Sequence, residues 1–185
     1  MKKHIISIHG LPGAGKTEAT NYLLKKTSWP KIYFGEITFD VMKEKGLEVS
    51  EANERKTREG LRAEHGMEVY AKLSLPKIKK LYESSDVVLE SMYSWEEYLV
   101  IKDEFKDAFV TIAIYASPKT RGARMKNRSV RPLNAEEFES RDYSQIENIH
   151  QAGPIARANY TIINEGTMEE MTKRLDDILE EIKKS

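Results

Sequence analysis

Cysteine is absent from this chain of 185 residues. That excludes a disulfide framework, a thiolate zinc site, an iron–sulfur cluster and a cysteine nucleophile, and it argues against redox chemistry. An excess of charge of either sign is missing too, since 30 Lys and Arg residues balance 30 Asp and Glu residues. The balance speaks against a generally basic nucleic-acid coat or an acidic tail, although a zero sum can hide local patches. No stretch approaches the ~20 consecutive apolar residues of a membrane span. The apolar run that follows Met1-Lys2-Lys3-His4 and ends at Ile8 is too brief for a signal peptide. A cytoplasmic protein with no membrane partner is expected, and 39% hydrophobic content fits one domain over residues 1–185.

What is present is an alternation of short apolar runs with helical patterns. Ile5, Ile6 and Ile8 form a β-branched run that stops at Gly10, and a helix from Gly15 to Lys26 follows. Lys31 to Phe34 reads as a second strand and Ile37 to Lys45 as a short helix ended by Gly46. The polar stretch from Ser50 to Glu83 reads as helix, broken near His65-Gly66 or Pro76. Three more strands are expected at Val87 to Leu89, Phe109 to Tyr115 and Tyr160 to Ile163. Met168, Met171, Leu175, Ile178, Leu179 and Ile182 recur at helical spacing, as in a final helix docked on a sheet. Alternation of this kind predicts an α/β fold with a parallel sheet covered by helices on both faces.

The segment Gly10-Leu11-Pro12-Gly13-Ala14-Gly15-Lys16-Thr17 satisfies G-x-x-x-x-G-K-[ST] between an expected strand and an expected helix. Such a loop wraps its backbone N–H groups around phosphate oxygens at the positive end of the helix. Lys16 is expected on the β and γ phosphates of ATP, and Thr17 on Mg²⁺. No N-K-x-D base-reading motif of switch GTPases occurs. A small kinase or a small ATP-binding module remains.

Between Ala108 and Ala135 there is no acidic residue, but Lys119, Arg121, Arg124, Lys126, Arg128 and Arg131 are all basic. Arg121, Arg124 and Arg128 would share one helix face suited to polyphosphate, since the guanidinium fork holds phosphate oxygens bidentately. The competing readings are a solvated helix face and nucleic-acid binding. The second lacks interleaved aromatic residues to stack on bases, so no nucleic-acid partner is expected. Arg55, Arg58 and Arg62 repeat the spacing amid acidic neighbours and suit either an acceptor phosphate or a neutralised surface.

Taken together, the loop, Leu61-Arg62-Ala63-Glu64-His65-Gly66, Ala116-Ser117-Pro118-Lys119-Thr120-Arg121, Glu136 to Asp142 and Ala158 to Thr167 resemble the P-loop nucleoside and nucleotide kinases related to adenylate kinase and dephospho-coenzyme A kinase. The archaeal-type proteins described as like these two enzymes are the most similar. The resemblance covers nearly the full chain and implies a P-loop NTPase three-layer sandwich with a five-stranded parallel sheet in order 2-3-1-4-5. It also implies an acceptor-binding insertion over about 35–83 and a lid over about 128–142. Within it, Arg124, Arg128 and Arg131 would clamp the donor phosphates, Arg141 would join them, and Asn164, Glu165 and Gly166 would lie against adenine.

The chain departs from that pattern in places. The arginine expected after the second strand is replaced by Phe39, so Glu36, Arg58, Arg62 and Tyr93 become the candidate acceptor contacts. A family Asp after the third strand is Glu90, a candidate for catalysis and for Mg²⁺, with Ser91 where Gly is usual. The expected function is ATP- and Mg²⁺-dependent phosphoryl transfer to a small nucleotide-like acceptor. The alternative is a nucleotide-dependent regulatory or interaction ATPase. If the acceptor is a hydroxyl, Glu36 or Glu90 would take its proton. His9, before the loop, is read as packing or hydrogen bonding against a lesser catalytic alternative.

Overall fold

The computed structural model describes residues 2–129 and 131–184, and leaves the side chain of residue 51 aside. Residue 130, inside the expected lid, lies outside the described residues. Five strands form one sheet: β1 (Ile5–His9), β2 (Lys31–Tyr33), β3 (Val87–Glu90), β4 (Phe109–Tyr115) and β5 (Tyr160–Ile163). All neighbours pair in parallel in the order β2-β3-β1-β4-β5, as expected from the alternation and the resemblance. Parallel pairing needs crossovers, which nine helices among the described residues supply.

Alternate strand residues feed opposite faces. Ile6, Ile8, Val88, Ile112 and Ile162 pack on α1 (Lys16–Thr27) and α9 (Met168–Lys184). Ile5, Ile32, Val87, Leu89 and Phe109 form a second core with α4 (Val69–Tyr82) and α5 (Trp95–Phe105). Both faces are covered, which is why these strands read as near-continuous apolar runs. Across α1 and α9, Asp176 accepts the Tyr22 hydroxyl at 2.8 Å and pairs with Lys26 at 2.6 Å.

Between β2 and β3 lie α2 (Glu36–Glu44), α3 (Glu51–His65) and α4. Of the two expected breaks, only Gly66 is one. Its φ of +88° is left-handed, and its N–H closes the α3 terminus on the Arg62 carbonyl. Pro76 instead runs inside α4, where a proline ordinarily costs about 3 kcal/mol. Burial of Val69, Tyr70, Ala71 and Ile78 against the sheet offsets that cost.

After β4 come α6 (Pro118–Asn127), α7 (Ala135–Glu147) and the short α8 (Ala152–Ala156). Helix α6 ends one residue earlier than the arginine spacing required. Arg128 is its C-cap, with extended backbone, so the expected shared face of Arg121, Arg124 and Arg128 does not form.

Candidate functional site

The loop from Gly10 to Gly15 sits at the carboxyl end of β1, where open parallel sheets place their ligands. Helix α1 begins at Lys16 behind Gly15, and no side chain caps it. By contrast α3, α5, α6 and α7 are each capped by a Ser or Asn side chain. The first-turn N–H groups of α1 are thus left for an external acceptor, the arrangement that binds anions at helix N-termini.

The carbonyls of the loop account for the rest of its geometry. Gly10 O accepts from Gln151 Nε2 at 2.9 Å and Leu11 O from Lys16 Nζ at 3.2 Å. Pro12 O accepts from Arg121 Nη1 at 3.3 Å, Gly13 O from Arg124 Nη1 at 3.4 Å, and Ala14 O from Asn164 Nδ2 at 2.8 Å. Five consecutive carbonyls therefore each meet a side-chain donor, drawn from α1, α6, the turn before α8 and the loop after β5. A loop whose C=O groups are held outward presents its N–H groups inward.

Two glycines are required by this wrapping. At Gly13, φ is +81° and a Cβ would meet Arg121 O at 2.8 Å. At Gly15, φ is +106° and a Cβ would strike Asn164 Nδ2. Both positions are left-handed, and the approach of α6 and Asn164 leaves no room for a side chain.

Arg121 is the clearest correction to the sequence reading. It is buried, donates through Nε to Ala116 O at 3.0 Å, and forms a bidentate pair with Asp142, one arm at 2.8 Å. It ties α7 to the loop and is not open to a nucleotide. The acid-free segment hid this partner, because Asp142 lies beyond it in sequence. Asn164 likewise turns its amide to the loop, and Glu165 caps the N-terminus of α6 through Ser117 and Thr120. Gln151 had no signal at all in the sequence, standing alone in a polar stretch.

Lys16 is half-buried, and its pKa is pushed down to about 8, first by burial, then by the charges of Arg141 and Arg121. Arg141 on α7 thus stands near the loop. It also helps lower the pKa of Arg128, after burial and ahead of Arg131. Arg128 donates to the carbonyl of Arg131, whose φ of +50° is left-handed. Among the described residues no carboxylate lies within ion-pair distance of Arg124, Arg128 or Arg141.

On the far side of β1 the cations are paired. Glu90, the last residue of β3, accepts Lys31 at 2.6 Å. Arg58 pairs with Glu54 at 3.5 Å and Arg62 with Glu97 at 3.6 Å, while Arg62 also lies over the Tyr70 ring. Burial pushes the Glu97 carboxyl up, against the pull of Arg62 and of the Ser94 and Tyr93 N–H groups. Glu36 is drawn to Lys77 at 2.7 Å. Tyr93 donates to Ser91, which takes the left-handed φ of +64° where glycine was the expected residue. Burial first, then the neighbouring Tyr93, Glu90 and Glu54, raise the pKa of Tyr33 against the opposing charge of Arg58.

His9 is fully buried, and burial with the Lys16 charge pushes its pKa down to about 3. Neither ring nitrogen has a hydrogen bond of good geometry, although the Met92 backbone is near enough to oppose the shift. It is neutral at working pH and has no basicity to offer. No cluster of three carboxylate or imidazole groups among the described residues could hold a metal unaided. Thr17 is exposed at the start of α1, and Glu90 has one oxygen beyond its Lys31 contact. This sparse oxygen set suits Mg²⁺ shared with phosphates. A cavity of about 530 Å³ between α6 and α7 is lined by no residue of the loop.

A family model described as an AAA domain matches residues 6–145. The chain is 33% identical over 181 residues to the UPF0200 protein MJ1399 of Methanocaldococcus jannaschii, covering 96% of this chain and 90% of that protein. The chain belongs to the AAA-domain family and to the UPF0200 proteins. Another UPF0200 protein, from Thermococcus gammatolerans, is 30% identical over 182 residues, or 96% of this chain and 95% of that one. Among solved structures, TT1252 from Thermus thermophilus superposes with a TM-score of 0.66 at 20% identity and 98% coverage of both chains. Shikimate kinase from Bacteroides thetaiotaomicron gives 0.58 at 17% identity, covering 96% of this chain and 98% of that one. These likenesses establish a P-loop kinase-like fold for this UPF0200 chain. No described helix is long and apolar enough to cross a membrane.

Proposed function

We propose that this protein is an ATP- and Mg²⁺-dependent phosphotransferase acting on a small nucleotide-like acceptor, in the manner of the adenylate and dephospho-coenzyme A kinases it resembles. The observation that carries this reading is the loop whose five carbonyls are capped from behind, with the uncapped α1 terminus at its mouth. In this reading the N–H groups of Gly13, Gly15 and Lys16 hold the β and γ phosphates, and Lys16 and Arg124 exchange loop carbonyls for phosphate oxygens. Arg128, Arg131 and Arg141 close over the transferring group as the lid, and Gly166 borders adenine. Thr17 and Glu90 would hold Mg²⁺, which would supply positive charge beside the phosphates. Positioning and charge stabilisation supply the catalysis, and closure of α7 keeps water out.

The test is acceptor-dependent turnover. ATP consumption rises strongly when an acceptor from a panel of nucleosides, nucleoside monophosphates and dephospho-coenzyme A is added, and a phosphorylated product accumulates. Steady release of inorganic phosphate that no acceptor alters would overturn the proposal in favour of a regulatory ATPase.

A further inference from the structure

The cavity between α6 and α7 is a groove whose lining comes entirely from residues 118–146, so no other part of the chain closes it. On α7, Ala135, Phe138, Glu139, Asp142, Tyr143 and Ile146 recur every three or four residues and share one face. Lys119, Gly122, Ala123 and Lys126 do the same on α6. A helix stripe of this kind ordinarily faces a core. Here Tyr143 is 56% exposed and Ile146 40%.

The two walls are held at a fixed spacing. Arg121 forms its bidentate pair with Asp142 and lies 5.4 Å from the centre of the Phe138 ring. Gly122 brings α6 close enough that a Cβ there would meet that ring at 3.4 Å. The walls also differ in charge. Lys119 and Lys126 flank Gly122-Ala123 on α6, and Glu139 stands on α7. Among the described residues none of these three has an ion-pair partner.

We infer that this groove is a self-association surface, filled by the same surface of a second copy of the chain. A two-fold axis through the groove lays α7 of each copy along α6 of the other. Glu139 of each copy then meets Lys119 and Lys126 of the other, so both signs are satisfied twice without a foreign partner. Tyr143 and Ile146 of each copy fill the space left open over Gly122 and Ala123 of the other, and the four helices close as a bundle. A surface that carries a cationic wall, an anionic wall and an apolar floor between them is complementary to itself. Faces about 15 and 20 Å long and about 10 Å wide fall short of the ~800 Å² per partner of a standard interface, so the dimer is reversible. None of Arg124, Arg128 and Arg141 lines the groove, so docking there leaves the loop uncovered.

Sedimentation velocity of the full chain over about 1 to 300 µM, a range suited to a small interface, tests the inference. The average mass is expected to climb reversibly from that of one chain towards twice that value. The mass of one chain throughout overturns the inference and leaves the groove to a different protein or a small apolar ligand. Tyr143→Glu and Ile146→Glu put a carboxylate at an exposed position of the free chain and into the apolar floor of the dimer. Each is expected to raise the dissociation constant about 10-fold or more, with the thermal midpoint of the monomer little changed. Association that neither variant weakens runs through another surface and also overturns the inference. Charge reversal tests the pairing itself. K119E/K126E and E139K each weaken self-association, and an equimolar mixture of the two associates more tightly than either alone, because each supplies the sign that the other lacks. A mixture no tighter than its components overturns the two-fold pairing of α6 with α7.

Discussion

At the scale of single residues, the loop is an accounting problem in hydrogen bonds. Gln151 and Asn164 each hold a buried loop carbonyl outward, at 2.9 and 2.8 Å. A carbonyl left without its donor costs about 1–3 kcal/mol. Gln151→Leu and Asn164→Ala are therefore expected to weaken ATP binding about 5- to 100-fold through a loosened loop. Calorimetric titration checks this, and wild-type affinity in both variants would end the positioning role. Lys16 gives a second prediction. In the free protein its pKa is about 8, below the ordinary lysine value, because burial and two arginines disfavour the charge. Below about pH 8 the buried charge works against stability, and as pH rises towards the ordinary value the folded chain binds fewer protons than the unfolded one, so that penalty fades. Phosphate oxygens restore the charged form. ATP binding at about pH 9 is then expected to take up a proton, and affinity to fall as pH rises through 8. Titrations in buffers of different ionisation enthalpy measure the uptake. Zero uptake or proton release would contradict the proposed contact between Lys16 and phosphate.

At the scale of elements, the question is how α6 and α7 are held to the loop. The bidentate pair of Arg121 with Asp142 crosses from one helix to the other, and the same guanidinium reaches Ala116 O and Pro12 O. Breaking a buried pair from one side costs about 3–5 kcal/mol. Asp142→Asn is expected to lower the midpoint of thermal unfolding by several degrees and to weaken ATP binding together with it. A variant with unchanged midpoint and affinity would show the pair to be idle. A gain is expected at the end of β3: Ser91 pays for a left-handed φ of +64°, so Ser91→Gly should add about 1 kcal/mol of stability in denaturant unfolding. The elements themselves were legible because their signals are local. The β-branched runs of β1 and β3, the glycine at 66 and the apolar spacing of α9 all act within a few residues. Arg121 was misread for the opposite reason. Its partner is 21 residues away in sequence, and a count of nearby charges cannot find it. Gln151 and Asn164 act across 141 and 150 residues, through contacts that exist only once the sheet has brought the loop, α8 and β5 together.

For the molecule as a whole, the net charge of zero sharpens what salt should do. A protein without net charge exerts little long-range pull on an anion, so screening acts on the local field. That field is uneven: the donor half gathers Lys16, Arg124, Arg128 and Arg141, and the acceptor half is neutralised pair by pair. ATP affinity is expected to fall about tenfold or more between about 0.05 and 0.5 M monovalent salt, as exposed attractions over a Debye length are screened. Arg128→Ala should flatten that dependence, since Arg128 is only half-buried and has no carboxylate at ion-pair distance among the described residues. ATP binding that ignores salt would show that this cluster of cations does not act on the nucleotide.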